Sequence, residues 1–185
     1  MERTKGAAFS RTIDLCYIAL FTTIITIMAQ IAIPMPAGVP LTLQTLAVPL
    51  AGIVLGPKKG TISNILYILL AAVGVPVLAN MRGGIGMVLG VTGGFIISFP
   101  IMALMSGMFA DKGMKSPMYW MGLLTGVIIN YVVGTVWYMA VAHSTLTAAL
   151  AGCVIPFIPT AIIKLILSGI LGETLKKALK RAKLL

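Results

Sequence analysis

The sequence predicts an all-α membrane protein, a single bundle of six transmembrane helices. Of its 185 residues, 59% are hydrophobic and only 10% are charged. A water-soluble domain of this size needs a charged surface that so few side chains do not supply. The charges also fall in short clusters between long apolar segments, which is typical of a chain that crosses a bilayer repeatedly.

Six apolar segments have a length close to what a membrane span requires. A hydrocarbon layer about 30 Å thick takes about 20 helical residues to cross. The segments cover residues 13–33, 41–55, 60–78, 93–110, 117–142 and 154–175. The second is the shortest and contains Gln44 and Pro49, which a span tolerates where neighbouring helices or a cavity satisfy its backbone. Together the segments predict one transmembrane domain over residues 1–185.

The basic residues predict the orientation of these spans. Twelve of the fourteen lie in the termini or in loops that share one side of a six-span bundle. They are Arg3, Lys5, Arg11, Lys58, Lys59, Lys112, Lys115, Lys176, Lys177, Lys180, Arg181 and Lys183. Because cytoplasmic loops collect Lys and Arg, both termini are predicted to be inside. This spacing also argues against nucleic-acid binding, which favours one basic face with interleaved aromatic residues.

Two connections on the predicted outer side differ from ordinary short turns. Residues 34–40 contain three prolines and are therefore stiff. Residues 80–94 contain six glycines yet remain apolar between them, unlike a flexible polar linker. Loops of this kind pack back as lids or binding loops, and glycine lets the backbone approach a ligand closely. The alternative is a partly embedded loop that only seals the bundle.

The sequence provides little for catalysis. His143 is the only histidine, and Glu2, Asp111 and Glu173 lie in predicted inner tails or loops. No group of residues has the spacing of a metal site or a nucleophile–base pair. The phosphate-binding pattern G-x-x-x-x-G-K-[ST] is also absent, so ATP hydrolysis by that route is excluded. We therefore expect a protein that is not an enzyme, with no catalytic residues, metal or cofactor.

Lys164 lies about ten residues into the sixth predicted span, or roughly 15 Å at the rise of an α-helix. A cation at that depth costs at least about 2.5 kcal/mol, so it is predicted to face the bundle interior and to have a partner. No Asp or Glu at that depth in the membrane is available, and a ligand carboxylate or carbonyl would supply that partner. The alternative is a structural bond to backbone carbonyls or to Gln44, Asn64 or Asn130.

A series of short motifs follows the chain from the second span to the sixth. They are Val39-Pro-Leu-Thr-Leu-Gln-Thr-Leu-Ala47, Leu55-Gly-Pro-Lys-Lys-Gly60, Gly74-Val-Pro-Val77, Gly83-Gly84, Gly90-Val-Thr-Gly-Gly-Phe95, and Pro156-Phe-Ile-Pro159 with Lys164. In order and spacing they resemble the BioY family, the biotin-binding S components of energy-coupling factor (ECF) transporters. The resemblance covers essentially the whole chain.

This resemblance implies a multi-pass subunit of the cell membrane that binds a vitamin, biotin, near its outer face. The first and third outer loops would close the site. Partners would be an ECF transmembrane coupling subunit and ATP-binding-cassette ATPases, which would provide the missing nucleotide site. The substrate-binding residues expected are Gln44, Tyr67, Asn80, Gly84, Thr92, Gly93 and Lys164.

One position departs from the family pattern. The sixth span of the family resembles Pro-Gly-Asp-x-x-Lys, whereas this chain has Pro159-Thr-Ala-Ile-Ile-Lys164, so Ala161 replaces the aspartate. The loss of an acceptor for the ureido N–H groups costs about 1.5–3 kcal/mol of affinity. Biotin is the first expectation, and a related apolar carboxylic acid is the nearby alternative. A self-sufficient transporter or channel for a small carboxylic acid, and an intramembrane enzyme, are the alternatives of other classes.

Overall fold

The computed structural model describes residues 2–182 and 184, with side chains for residues 12–182 and 184. Helix α1 covers Glu2–Gln30, and its end at Gln30 comes three residues before the predicted end of the first span. Apolar side chains such as Leu20 and Ile27 are exposed on its outer side, while Phe21 and Ile25 are buried in the core. Exposed apolar residues opposite a buried apolar core are what a lipid-facing helix presents.

A short pair of strands follows α1, which departs from the all-α prediction. Strand β1, Ala32–Ile33, pairs antiparallel with β2, Leu41–Thr42. The three prolines between them cannot continue a helix, because each lacks a backbone N–H donor and restricts the residue before it. The chain instead turns back and satisfies its backbone groups across the two strands.

Helix α2, Gln44–Ala72, is bent sharply at Gly56, where φ is 82° and ψ is 172°. The Gln44 side-chain nitrogen lies 2.7 Å from the Tyr67 hydroxyl, although 23 residues separate them. A straight helix would hold them about 35 Å apart. The two arms, residues 44–55 and 57–72, therefore lie side by side and correspond to the segments predicted as the second and third spans. The third ends at Ala72 instead of at residue 78.

The remaining α-helices follow in order along the chain. They are α3 Ile85–Val88, α4 Gly93–Ile97, α5 Phe99–Met108, α6 Pro117–Ala142, α7 Leu146–Cys153 and α8 Ile158–Arg181. Helix α6 has the predicted bounds of the fifth span. The fourth span is divided at Ser98 into α4 and α5. The sixth is longer than predicted at both ends, since α7 precedes Val154 and α8 continues to Arg181.

Four helical segments of the described chain are long and apolar enough to cross a membrane. They are Thr12–Gln30, Gly93–Lys112, Pro117–Ala142 and Leu146–Arg181. The two arms of α2 are shorter but supply much of the core, where α2 packs most extensively against α5. Gly52 permits this approach, because a Cβ there would lie 2.1 Å from the carbonyl oxygen of Ala103. The fold is thus a mostly helical membrane protein built around the α2 hairpin.

Three carboxylates with described side chains form ion pairs with lysines. Asp14 of α1 pairs with Lys59 near the bend of α2. Asp111 accepts a hydrogen bond from Lys176 at 2.9 Å. Glu173 pairs with Lys177, one turn later on α8, and also accepts from the backbone N–H of Met114. These three carboxylates therefore stabilise contacts among loops and helix ends.

Candidate functional site

A cavity of about 280 Å³ lies beside the β1–β2 connection and the first turn of α2. Its walls also include residues 78–80 and 82, the loop before α4, and parts of α4, α6 and α8. Most of its lining is apolar, with a few polar groups that come from different elements. That combination is typical of a pocket that encloses a small, largely apolar molecule.

The cavity wall contains two cationic side chains, Lys164 and Arg82. Among the described residues, no carboxylate lines it. Lys164 is only 7% exposed, whereas Arg82 and its neighbour Asn80 are exposed. The cavity therefore has a buried polar end at Lys164 and a solvent-accessible mouth at Asn80 and Arg82. Its electrostatic character favours an anionic or acceptor-rich occupant.

Lys164 has a partner in the protein. Its Nζ atom donates a hydrogen bond to the backbone carbonyl oxygen of Thr42 at 3.0 Å. No ion pair to a carboxylate forms at Lys164 within the described residues. One carbonyl satisfies one of its three N–H donors, and Lys164 is also one of the residues that line the cavity. The bond to a backbone carbonyl that a purely structural lysine would make is therefore present. N–H donors of Lys164 also remain for an acceptor on a ligand.

A chain of hydrogen bonds fixes the side chain of Gln44, another residue of the cavity wall. Gln44 accepts a hydrogen bond from the Thr42 hydroxyl at 2.9 Å and donates to the Tyr67 hydroxyl at 2.7 Å. Tyr67 in turn donates to the carbonyl oxygen of Val77 at 3.1 Å. The network joins both arms of α2 to the strand that carries the Lys164 acceptor. Tyr67 thus orients Gln44 through a hydrogen bond and does not itself line the cavity.

Two further polar residues of the wall come from α2 and α6. Thr45 Oγ1 is buried and has no hydrogen-bond partner among the described residues. Asn130 is buried and donates through its side-chain nitrogen to the Phe95 carbonyl and to Ser98 Oγ, both at 2.8 Å. Since a buried hydroxyl without a partner is costly, Thr45 is the residue of this wall most in need of a bond from an occupant.

Aromatic residues of α6 hold the proline-rich connection and the glycine-rich loop in place. Trp137 Nε1 donates to the carbonyl oxygen of Gly90 at 3.0 Å, and the Tyr138 hydroxyl donates to that of Ala37 at 3.2 Å. Tyr131, one of the lining residues, meets Phe95 edge to face with ring centroids 6.4 Å apart. The proline-rich connection and the glycine-rich loop are therefore both fastened to one helix beside the cavity.

The structure brings four of the seven predicted site residues to the cavity wall: Gln44, Asn80, Thr92 and Lys164. Three others lie outside the wall, and each supports a neighbour. Tyr67 orients Gln44, and Gly84, with φ of 101°, donates its N–H to Ala71. At Gly93 a Cβ would lie 2.3 Å from the carbonyl oxygen of Val88 and 2.8 Å from Trp137 Nε1. Its missing side chain thus makes room for Trp137 and not for a ligand.

Sequence reasoning did not select Arg82, Thr45 or Tyr131, which also line the cavity. Arg82 did leave a signal, because it is the one basic residue of the predicted outer segments. A cation that opposes the topological bias of every other loop needs a reason, and ligand binding is one. Thr45 left no such signal, since threonine within an apolar helix is usually a packing residue.

A mostly apolar cavity with a few polar lining groups, enclosed by a bundle of membrane helices, defines a membrane-embedded solute-binding protein. The family model that matches is described as the BioY family, and it aligns with residues 2–181. The chain belongs to the BioY family. This membership confirms the resemblance inferred from the motifs, and it places the chain among transport proteins and not among enzymes.

Relatives from distant organisms extend over most of the chain. The probable biotin transporter BioY of Pyrococcus horikoshii is 37% identical, covering 88% of this chain and 96% of the relative. The biotin transporter BioY of Thermotoga maritima is 36% identical over 85% and 92% of the two chains. A crystal structure of the S-component for biotin from an ECF-type ABC transporter superimposes with a TM-score of 0.79. That chain is 34% identical, with 91% of this chain and 93% of the other covered.

Proposed function

We propose that this chain is the membrane-embedded biotin-binding subunit of an ECF-type uptake transporter of the plasma membrane. The observation that carries the proposal is the cavity, with a buried Lys164, a mouth at Arg82 and no lining carboxylate among the described residues. Biotin has a polar ureido ring at one end and a carboxylate at the other. The relatives of this chain are named as biotin transporters, which supports biotin as the ligand.

The polarity of the cavity favours one orientation of biotin. The ionised carboxylate is the group that costs most to bury, so it belongs at the hydrated mouth beside Asn80 and Arg82. The ureido ring then lies at the buried end, where Lys164 can donate to the ureido oxygen. The valeryl chain and thiophane ring meet the apolar wall between these ends. Gln44, Thr45 and Thr92 provide the remaining polar contacts.

In this proposal Tyr67, Gly84 and Gly93 belong to the site as supports. Tyr67 holds Gln44, Gly84 shapes the turn after residues 78–82, and Gly93 admits Trp137. The proposed architecture is one domain over residues 1–185 with six spans, the α2 arms being the second and third, and both termini inside. The three lysine-paired acids then lie on the inner side, as the basic bias of the loops predicts.

Transport in this proposal depends on partners. An ECF coupling subunit and ATP-binding-cassette ATPases supply the energy, because the sequence contains no phosphate-binding loop. The competing function is a self-sufficient transporter. Proteoliposomes that contain only this chain should bind biotin but not accumulate it, with or without ATP. Accumulation by the purified chain alone would favour the competing function.

The direct test is equilibrium binding to the detergent-purified full chain. Biotin is measured beside biotinamide, which keeps the ring but has no charged carboxylate, and lipoate, which keeps a carboxylate but has no ureido group. We expect biotin to bind most tightly, with both analogues weaker. Native mass spectrometry of the freshly purified protein should also detect biotin. No measurable biotin binding by a folded protein would refute the proposal.

A biotin-related apolar carboxylic acid is the second candidate ligand, and Ala161 is the observation that favours it. No described carboxylate lies in the cavity to accept bonds from ureido N–H groups. Position 161 lies one helical turn before Lys164 on α8. Ala161→Asp should therefore tighten biotin binding and leave lipoate binding weaker or unchanged. If the native chain prefers lipoate to biotin, the second candidate is the better one.

A further inference from the structure

The side chain of Gln30 joins the end of α1 to the segment that forms the cavity mouth. Its Nε2 atom donates to the carbonyl oxygens of Leu78 at 3.1 Å and Val77 at 3.3 Å, and to that of Thr26 in its own helix at 3.2 Å. Its Oε1 atom accepts from the backbone N–H of Met81 at 2.9 Å. One amide group thus satisfies several backbone groups of residues 77–81.

The segment held by Gln30 has an unusual backbone. Asn80 and Met81 both have positive φ, 59° and 55°. Asparagine tolerates this left-handed region, but methionine rarely adopts it, and two consecutive residues there are strained. Leu78 and Arg82 close the turn through a reciprocal pair of backbone hydrogen bonds of 2.9 and 3.3 Å. The strained turn is stabilised by hydrogen bonds from its neighbours. Gln30 provides those that come from α1.

This turn also presents side chains to the cavity. Leu78, Ala79, Asn80 and Arg82 all line the wall, whereas Gln30 does not. The positions of Asn80 and Arg82 at the mouth therefore depend on the left-handed turn, and the turn depends on an amide from another helix. An amide is the side chain suited to this task, because it combines donors for two carbonyls with an acceptor for one N–H.

We infer that Gln30 is a positioning residue for ligand binding. It holds residues 78–82 in the conformation that places Asn80 and Arg82 at the cavity mouth, and it makes that conformation depend on α1. The inference rests on the proposed function, in which these two residues receive the ligand carboxylate. Gln30 touches neither the cavity nor its occupant.

The test is a double-mutant cycle measured by biotin binding to the full-length purified protein. Gln30→Met removes every side-chain hydrogen bond at similar volume, and Asn80→Ala with Arg82→Gln removes the groups that it positions. We expect Gln30→Met to weaken biotin binding about tenfold in the wild-type background, the scale of one or two hydrogen bonds. The same substitution should have little effect in the Asn80→Ala, Arg82→Gln background, because coupled residues are not additive.

Two controls separate positioning from general stability. Thr23→Val removes a hydrogen bond that stays within α1, to Ala19, and should leave affinity unchanged. Hydrogen exchange at the Met81 amide should accelerate in Gln30→Met, because its acceptor is lost. Should Gln30→Met not fold, Gln30→Glu replaces it, since Glu keeps the acceptor for Met81 but loses both donors.

The outcomes are distinct from those that test the proposed function. If the wild-type chain does not bind biotin, the proposed function itself fails. If the wild type binds and a folded Gln30 variant binds equally well, the positioning role is refuted. An equal loss of affinity in both backgrounds of the cycle would also refute it, because that pattern indicates a general structural role.

Discussion

Lys164 Nζ lies 3.0 Å from the backbone carbonyl oxygen of Thr42, and this bond joins α8 to the strand that precedes α2. The hydroxyl of the same threonine donates to Gln44 at 2.9 Å. Thr42 thus connects a buried cation to the hydrogen-bond network of the α2 hairpin. A bound ligand that accepts a bond from Lys164 would therefore act on three elements of the cavity wall together.

Lys164→Met tests whether this lysine contacts the ligand. We expect biotin affinity to fall by about 1.5 kcal/mol or more, the scale of a hydrogen bond from a charged group. Thermal stability should be retained or increased, because the variant no longer buries a cation. Lys58→Met, at an exposed lysine beside the bend of α2, is the matched control and should change neither quantity. Wild-type affinity in Lys164→Met would assign the residue to structure alone.

Thr45→Val tests the unpartnered hydroxyl of the cavity wall. The substitution keeps the shape of the side chain and removes one hydrogen bond to the ligand, so affinity should fall by about 0.5–1.5 kcal/mol. Stability without ligand should not fall, because the hydroxyl has no partner in the described protein. Thr135 provides the control, since its hydroxyl is also buried without a described partner but lies outside the cavity. Thr135→Val should leave affinity unchanged, and an equal loss in both variants would contradict the assignment.

Arg82→Gln tests the placement of the ligand carboxylate at the mouth. Arg82 is exposed, so water and salt screen its attraction, and we expect a loss of about 1 kcal/mol at low ionic strength. Biotinamide, which has no charge, should bind the variant and the wild type alike. Binding of biotin to the wild type should also weaken with added salt more than binding to the variant. Equal losses for biotin and biotinamide would place the carboxylate elsewhere.

The sequence predicted the long helices closely, for a physical reason. Long apolar segments have to be helical in a bilayer, so α6 has the bounds that its hydrophobic run predicts. The predicted ends of the first and third spans, at residues 33 and 78, were wrong because local backbone chemistry decides where these helices end. Proline ends α1 and allows β1, and hydrogen bonds of Tyr67 and Gln30 to Val77 favour a turn over a longer helix.

Among the predicted site residues, the clearest sequence signal belongs to a side chain that is costly to bury, and its contact with a ligand stays a prediction. Lys164 was predicted from the expense of a charge within a span, and it does line the cavity. The sequence predicts that the backbone approaches the ligand closely at Gly93, whereas the space beside Gly93 is filled by Trp137. A glycine indicates that something approaches the backbone, but only the fold decides whether that is a ligand or a side chain. Gln30 had no sequence signal, because its partners are backbone atoms some 50 residues away.

Cysteine accessibility tests the proposed orientation with both termini inside. In a background of Cys16→Ser and Cys153→Ala, single cysteines replace Lys58 or Arg82. A membrane-impermeant maleimide added outside intact cells should label position 82 and leave position 58 unlabelled. Position 58 should react only after the membrane is permeabilised. Labelling of position 58 from outside would contradict the orientation that the loop charges predict.

Hydrogen exchange tests the proposal that residues 83–94 act as a lid. The segment includes the short helix α3 and is fastened at Gly90 by Trp137, but its glycines at 84 and 86 have open space around them. A loop anchored at Gly84 and Gly90, with open space beside the glycines at 84 and 86, can close over a ligand without unfolding.

Saturating biotin should therefore slow exchange across residues 83–92, while the first part of α6, residues 117–125, serves as an internal control and stays unchanged. Trp137→Phe removes the bond to Gly90 and should raise exchange of the segment in the free protein. Ligand should then restore protection only in part. If biotin binds and exchange of residues 83–92 is unaltered, the segment is an inert seal of the bundle and not a lid.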